Sequence, residues 1–289
     1  PVTNINLPDL PLFKTGKVRS VFDFGDQLLL VASDRVSAFD FILDQGIPHK
    51  AEVLTSISEF WFDKFNDSVA HHLISTDVKD FPEAAQKYAD ILEGRTMLVK
   101  KTELIPFECV VRGYIIGSGW KDYQKTGQVC GHQLPESLQL AAKLEEPLFT
   151  PATKRDDHDE NVSVAYMRDK LGQELTDKLQ ALSLDIYSRA RDFADNKGII
   201  IADTKFEFGL LDGEIILIDE VLTPDSSRFW SKAEYREGIS PPSFDKQTVR
   251  DYLSATGWDK LTPPPPALTP EIIRTTSQSY LDIQKLLTH

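Results

Sequence analysis

The segment GIIIADTKFEFGLLDGEIILIDE (198–220) constrains the fold of this 289-residue chain more than any other stretch. It reads as two strands joined by a tight turn at Asp212-Gly213. Strand side chains alternate faces, so Asp203, Lys205 and Glu207 line up on one side of an otherwise apolar hairpin. Two registers are open. A two-residue Asp212-Gly213 turn sets Glu207 opposite Ile218 and turns Asp219 to the other face. A three-residue Leu211-Asp212-Gly213 loop, with Gly213 left-handed as a bulge, pairs Lys205 with Asp219. The second is preferred because it collects Phe206, Phe208, Leu210, Ile216 and Ile218 on one face and Asp203, Lys205, Glu207 and Asp219 on the other. Glu207 and Asp219 are then diagonal cross-strand neighbours. Two carboxylates that close repel without a counter-charge. Lys205 can supply it, and so can a magnesium ion carrying nucleotide phosphates, which is held by one or two carboxylates plus phosphate oxygens and waters.

Charge narrows the partners. Lys and Arg total 32 against 45 Asp and Glu, a formal net charge of −13. Such a chain lacks the basic field that non-specific binding to nucleic acid or an anionic membrane requires, so neither is expected as a partner. Any anionic ligand must be gripped by locally arranged Lys and Arg. Cys109 and Cys130 are the two cysteines and form no CxxC, which argues against a disulfide framework and a thiolate zinc site. Aliphatic runs such as LLLVA (28–32) are strand-sized, far too short to span a bilayer. PVTNINLPDL at the start has no basic segment followed by an apolar one, so cytoplasmic residence is the default expectation.

GKVRSVFDFGDQLLLVAS (16–33) reads as a hairpin turning at Gly25-Asp26. Residues 51–65 place Leu54, Ile57, Trp61 and Phe65 at helical spacing, and 81–94 reads as a second helix closed by Gly94. Residues 95–115 return to strand chemistry, broken at Pro106, and the chain after Gly117 reads as loop. A long helix is expected over 172–197, with Leu175, Leu179, Leu182, Ile186 and Phe193 facing inward. PPPP (263–266) is a short extended spacer, and the last 20 residues read as helix. Strands and helices mix without regular βαβ alternation, so an α+β fold is expected, with a boundary near residue 105 separating domains 1–105 and 106–289.

Six segments, GKVRSVF, SDRVSAFD, IPFECVVRGYIIGSGW, HDEN, ADTKFEFG and IDEVLTPDSSRFW, together resemble the SAICAR synthetase family of purine biosynthesis, in the family's order and over most of 14–230. The length and FTPATK…HDEN look like the longer, fungal-type form, which implies a monomer. The resemblance implies two α+β domains with an ATP-grasp-like nucleotide cleft. It also implies a ligase that joins L-aspartate through its amine to the carboxylate of an aminoimidazole ribonucleotide (CAIR), converting ATP to ADP and phosphate.

Carried over by motif, Glu207 and Asp219 are the Mg²⁺ carboxylates. Lys17 and Arg19 lie over the ATP phosphates, Lys101 and Leu104 border the adenine, and Lys154 is a further phosphate-facing lysine. The alternative for Leu104 is simple core packing. Arg112, Ser118 and Arg228 hold the ribonucleotide, whose phosphate suits guanidinium and hydroxyl donors. Asp203 and Lys205 stand near the reacting carboxylate. Asp159 is a substrate-side residue, and Ser37 and Asp40 serve aspartate or nucleotide without an assigned role. His158 reads as an orienting or solvent-facing histidine, and His71 and His72 as surface residues. A kinase is the competing class, but the chain has no H-R-D loop.

Overall fold

The computed structural model describes residues 1–154 and 160–289, and its longest strand is Ile199–Leu211. On one edge it pairs antiparallel with Phe107–Tyr114 and with the short strand Glu103–Leu104. On the other it pairs with Ser227–Ser231 along its first half and Glu214–Ile218 along its second. Lys143–Phe149 extends the sheet beyond Phe107–Tyr114, and Ala152–Thr153 also pairs with that strand. Both faces are covered in part, so the run from Ile199 to Thr204 is buried almost without interruption.

The hairpin takes the two-residue register, not the preferred three-residue loop. Leu211 opposes Glu214 and Glu207 opposes Ile218. Asp212 and Gly213 have φ of 53° and 85°, the positive values a type I′ turn demands at both centres, and that turn matches the strand twist. Ile216 and Ile218 therefore share the face of Glu207, while fully buried Leu217 opposes Phe208. The strand stops at Ile218, and Asp219 turns the chain with φ of 67°.

Helix Gln173–Asp195 packs on this sheet. Its buried side is built from Thr176, Leu179, Ser183, Ile186, Tyr187, Ala190 and Ala194, whereas Leu175, Leu182 and Phe193, expected inside, are only half-buried. Small side chains allow the close approach, and the Tyr187 hydroxyl donates to the Ile201 carbonyl at 2.7 Å. The stretch read as loop after Gly117 is a helix, Gly117–Thr126, closed by left-handed Gly127. Two glycines in its first turn hid it, because glycine has low helix propensity.

By contacts the chain divides into two units. One comprises Glu103–Leu222 and Ser226–Pro242. The other comprises Pro1–Thr102, Thr223–Asp225 and Ser243–His289. The assignment of all of 106–289 to one domain is thereby corrected. The reason is packing: helix Pro270–Thr288 lies against helix Lys50–Phe65, which buries Leu54, Ile57, Trp61 and Phe65 as the sequence suggests. This unit holds a five-stranded antiparallel sheet in the order Leu12–Thr15, Arg19–Asp23, Gln27–Ala32, Thr96–Lys100, Leu73–Ser75, and Gly25-Asp26 forms the turn of its central hairpin. The expected helix over 81–94 is two single turns, Glu83–Gln86 and Ala89–Leu92. His72 is buried rather than on the surface, its ring 5.5 Å from that of Phe62. Fully buried Lys50 donates to Asp225 Oδ2 at 2.7 Å, and the Tyr280 hydroxyl donates to the other oxygen at 2.7 Å. No described helix is long and apolar enough to cross a membrane.

Candidate active site

In an antiparallel ladder, directly opposed residues share a face. Asp203 opposes Arg112 and Lys205 opposes Val110, so Glu108, Arg112, Asp203, Lys205 and Glu207 converge on one side of the sheet. They form two adjoining clusters.

The first is built on Arg112, whose side chain is 4% exposed. Its Nη1 donates to Asp203 Oδ2 at 2.9 Å, Nη2 to Ser118 Oγ at 2.9 Å and Nε to Thr150 Oγ1 at 3.0 Å. Arg228 donates to the same Asp203 oxygen from the opposite neighbouring strand. Burial draws the Arg112 guanidinium below its ordinary pKa while Asp203 opposes the shift. Arginine's pKa starts so high that the group stays charged. Helix Gly117–Thr126 closes over both guanidiniums. A Cβ at Gly117 would stand 2.5 Å from Arg228 Nη2, and one at Gly119 would stand 3.1 Å from Arg112 Cδ. Gly117 also has φ of 62°, so glycine is required there twice over.

The second cluster is built on Lys205. Its Nζ lies 2.7 Å from Glu207 Oε1 and 2.9 Å from Glu108 Oε1. Lys154 donates to the other Glu207 oxygen. Burial alone would lower the Lys205 pKa, but Glu207, Glu108 and then Asp219 outweigh it and hold it well above the usual lysine value. Lys205 is therefore a fixed positive charge at neutral pH, not a nucleophile. The register turned Asp219 away, yet its left-handed backbone leaves its charge within reach of Lys205.

Among the described residues no group of three or more His, Cys, Asp or Glu side chains forms a metal cage. Magnesium seldom uses one, and a pair of carboxylates beside two ammonium groups suits an ion that arrives with phosphate. The donor chemistry of Glu207 and Asp219 fits it.

The remaining predicted residues are placed as follows. In the unit that starts at Pro1, Lys17 lies in the turn before strand Arg19–Asp23 and pairs with Asp40 at 2.5 Å. Arg19 opposes Ala32, and Ser37 opposes Ile42. Lys101 pairs with Asp23 at 2.6 Å. Leu104 is in the other unit, in the strand paired with Gly209, and is 47% exposed, so simple core packing is excluded for it. Asp159 and His158 lie outside the described residues.

Two residues escaped the sequence reading. Glu108 was legible, because it lies four positions before Arg112 and strand alternation puts it on the same face. Thr150 carried no signal, since it meets Arg112 across 38 positions of chain.

Comparison with known proteins adds independent findings. Residues 12–265 match the family model described as SAICAR synthetase. A phosphoribosylaminoimidazole-succinocarboxamide synthase from Geotalea uraniireducens is 55% identical over 99% of this chain and 97% of its own, and one from Geobacter sulfurreducens is 55% identical with the same coverage. A solved SAICAR synthase from Saccharomyces cerevisiae, complexed with SAICAR, is 42% identical, with a TM-score of 0.92 over 100% of this chain and 98% of that one. The likeness thus extends along nearly the full length of both the yeast chain and the Geotalea relative.

Proposed function

The chain belongs to the SAICAR synthetase family, and from that premise we propose that it joins L-aspartate to the carboxylate of CAIR, forming SAICAR while ATP becomes ADP and phosphate. The observation that carries the reading is the single sheet face on which Arg112, Asp203 and Arg228 adjoin Lys205, Glu207 and Glu108.

A carboxylate resists attack by an amine because its carbon is shielded by negative charge and oxide is a poor leaving group. In the proposed sequence a CAIR carboxylate oxygen attacks the γ-phosphorus of ATP, the bond to the β-bridging oxygen breaks, and ADP leaves. The acyl phosphate is then attacked by the aspartate amine. The amide bond forms, the amine loses its proton, and phosphate departs with the former carboxylate oxygen. Such a reaction asks the protein for positioning and charge neutralisation.

Lys205 meets that demand by neutralising the CAIR carboxylate before attack. Ser118 and Arg228 take the ribonucleotide phosphate, Arg228 through two donors at once. Arg112 commits donors to Asp203, Ser118 and Thr150 and so fixes the hydroxyl and the carboxylate around that ligand. Glu207 and Asp219 are the residues proposed to hold Mg²⁺, which when bound would offset charge on the β- and γ-phosphates. Lys154, now on Glu207, is a counter-charge available to phosphate. Lys17, Arg19 and Lys101 are assigned to ATP phosphates and adenine with Leu104, and Ser37 and Asp40 to substrate.

An omission assay tests the reading. ADP release should require CAIR and aspartate together and match SAICAR formed one for one. ADP formed at the full rate without aspartate is the signature of a kinase and would overturn the ligase.

A further inference from the structure

The motif SDRVSAFD (33–40) begins with three polar residues, Ser33, Asp34 and Arg35, that the chemistry above does not use. All three belong to the unit that starts at Pro1. Ser33 and Asp34 are buried, and Arg35 is half-buried. Asp34 fixes the start of the segment to helix Lys50–Phe65. Its carboxylate accepts the Ala51 backbone N–H at 3.0 Å, a first-turn amide that has no partner within its own helix. From that anchor strand Arg35–Ala38 runs out and returns as Phe41–Gly46, through a turn in which Phe39 and Asp40 have φ of 52° and 66°.

This hairpin is fastened to the turn Gly16–Arg19, which joins strands Leu12–Thr15 and Arg19–Asp23 and carries Lys17 and Arg19. The turn closes on itself through the Gly16 N–H and the Arg19 carbonyl at 2.7 Å. Its other two carbonyls are taken by Ser33 and Arg35. Arg35 Nη2 donates to the Gly16 carbonyl at 3.1 Å and Nε to Ser33 Oγ at 2.9 Å. Ser33 Oγ in turn donates to the Val18 carbonyl at 2.8 Å, and the Ser33 N–H reaches the same carbonyl at 2.9 Å. One planar guanidinium thus braces the turn at two points, directly at Gly16 and through a buried hydroxyl at Val18. The contact at the hairpin tip is of another kind. Lys17 and Asp40 pair with side chains 48% and 62% exposed, and a pair so wetted adds little stability and yields readily to another anion. The backbone of the turn is held, while its lysine stays exchangeable.

We propose that Arg35, acting through Ser33, is a positioning residue for nucleotide binding: it holds the backbone of Gly16–Arg19 so that Lys17 and Arg19 meet the phosphates together. A turn ordered in advance loses less conformational freedom when its ligand arrives, so the brace acts on affinity. This role rests on the assignment of Lys17 and Arg19 to ATP, and deepens that reading.

Calorimetric titration with ADP and magnesium and, separately, with CAIR tests it. Arg35→Met keeps most of the aliphatic stem and removes both donors, so the Kd for ADP should rise about fivefold while that for CAIR is unaltered and the melting temperature falls only slightly. Arg35→Lys should not restore ADP affinity, because one ammonium does not reproduce a fork that spans two acceptors. Ser33→Ala should also weaken ADP, and the double variant should lose less than the product of the two single losses, since both residues act along one chain of hydrogen bonds. Three results would each overturn the role and leave the ligase reading standing: equal ADP affinity in Arg35→Met, an equal loss of ADP and CAIR affinity, or full rescue by Arg35→Lys. A wild-type protein that binds neither ADP nor CAIR would overturn the ligase reading itself, and this role with it.

Discussion

At the scale of single residues, two side chains separate chemistry from positioning. Glu207 has both carboxylate oxygens on lysines, Lys205 at 2.7 Å and Lys154. Glu207→Gln keeps its volume and removes the charge, and turnover should fall on the order of 10²-fold, comparable to losing one transition-state stabiliser. Steady-state kcat at saturating substrates checks this. Thr150 touches no proposed ligand and acts through Arg112 Nε. Thr150→Val should raise the KM for the ribonucleotide about fivefold with kcat little changed and the KM for ATP unaltered, and Thr150→Ser should restore it. Alternation along a strand made Asp203, Lys205 and Glu207 legible as one face, and Arg112 needed only the pairing of two strands. Thr150 was not legible, because no local pattern reports which distant hydroxyl will meet a guanidinium.

At the scale of elements, the sequence reading was best where side-chain periodicity was uninterrupted. Helix Lys50–Phe65 and the hairpin at Gly25-Asp26 follow it closely. The errors share a cause: glycine and small residues serve tertiary contacts that leave no periodic trace. Helix Gly117–Thr126 begins with glycines because guanidiniums lie against it, and helix Gln173–Asp195 buries Ala190 and Ala194 where larger residues were expected. The hairpin error has a different origin. Segregating apolar residues favoured a bulge, but the turn's own need for two positive φ values decided the register. Gly117→Ala should therefore displace Arg228, raising the ribonucleotide KM roughly tenfold or more with a melting temperature that falls only slightly, read by kinetics and thermal melting side by side. Ala190→Leu overpacks a buried helix face and should lower stability by about 1–3 kcal/mol in urea unfolding.

At the scale of the whole molecule, the chain's division could not be read from local sequence. Ser243–His289 returns to the unit that starts at Pro1, and such a return depends on non-local packing. Within that unit, burial tends to raise the Asp225 pKa, but Lys246, Lys50 and the Tyr280 hydroxyl outweigh it and hold the carboxyl below its ordinary value. An unfolded aspartate titrates near about 3.9. The stabilisation is thus complete above about pH 5 and is lost as pH falls through the lower folded value. Asp225→Asn should flatten the acid limb of stability against pH below about pH 5, and Lys50→Met, which strips a buried carboxylate of one partner, should cost about 3–5 kcal/mol. Urea unfolding at several pH values measures both.

The proposed function requires a carboxylate made reactive by phosphorylation on the Lys205–Glu207 face. Oxygen-18 in the CAIR carboxylate tests that most directly, by mass analysis of the phosphate released in a complete turnover. One oxygen-18 atom should appear in each phosphate, carried over when the acyl phosphate is opened by aspartate. Phosphate free of the label would mean that the carboxylate never attacked ATP, and the roles assigned to this face would be wrong.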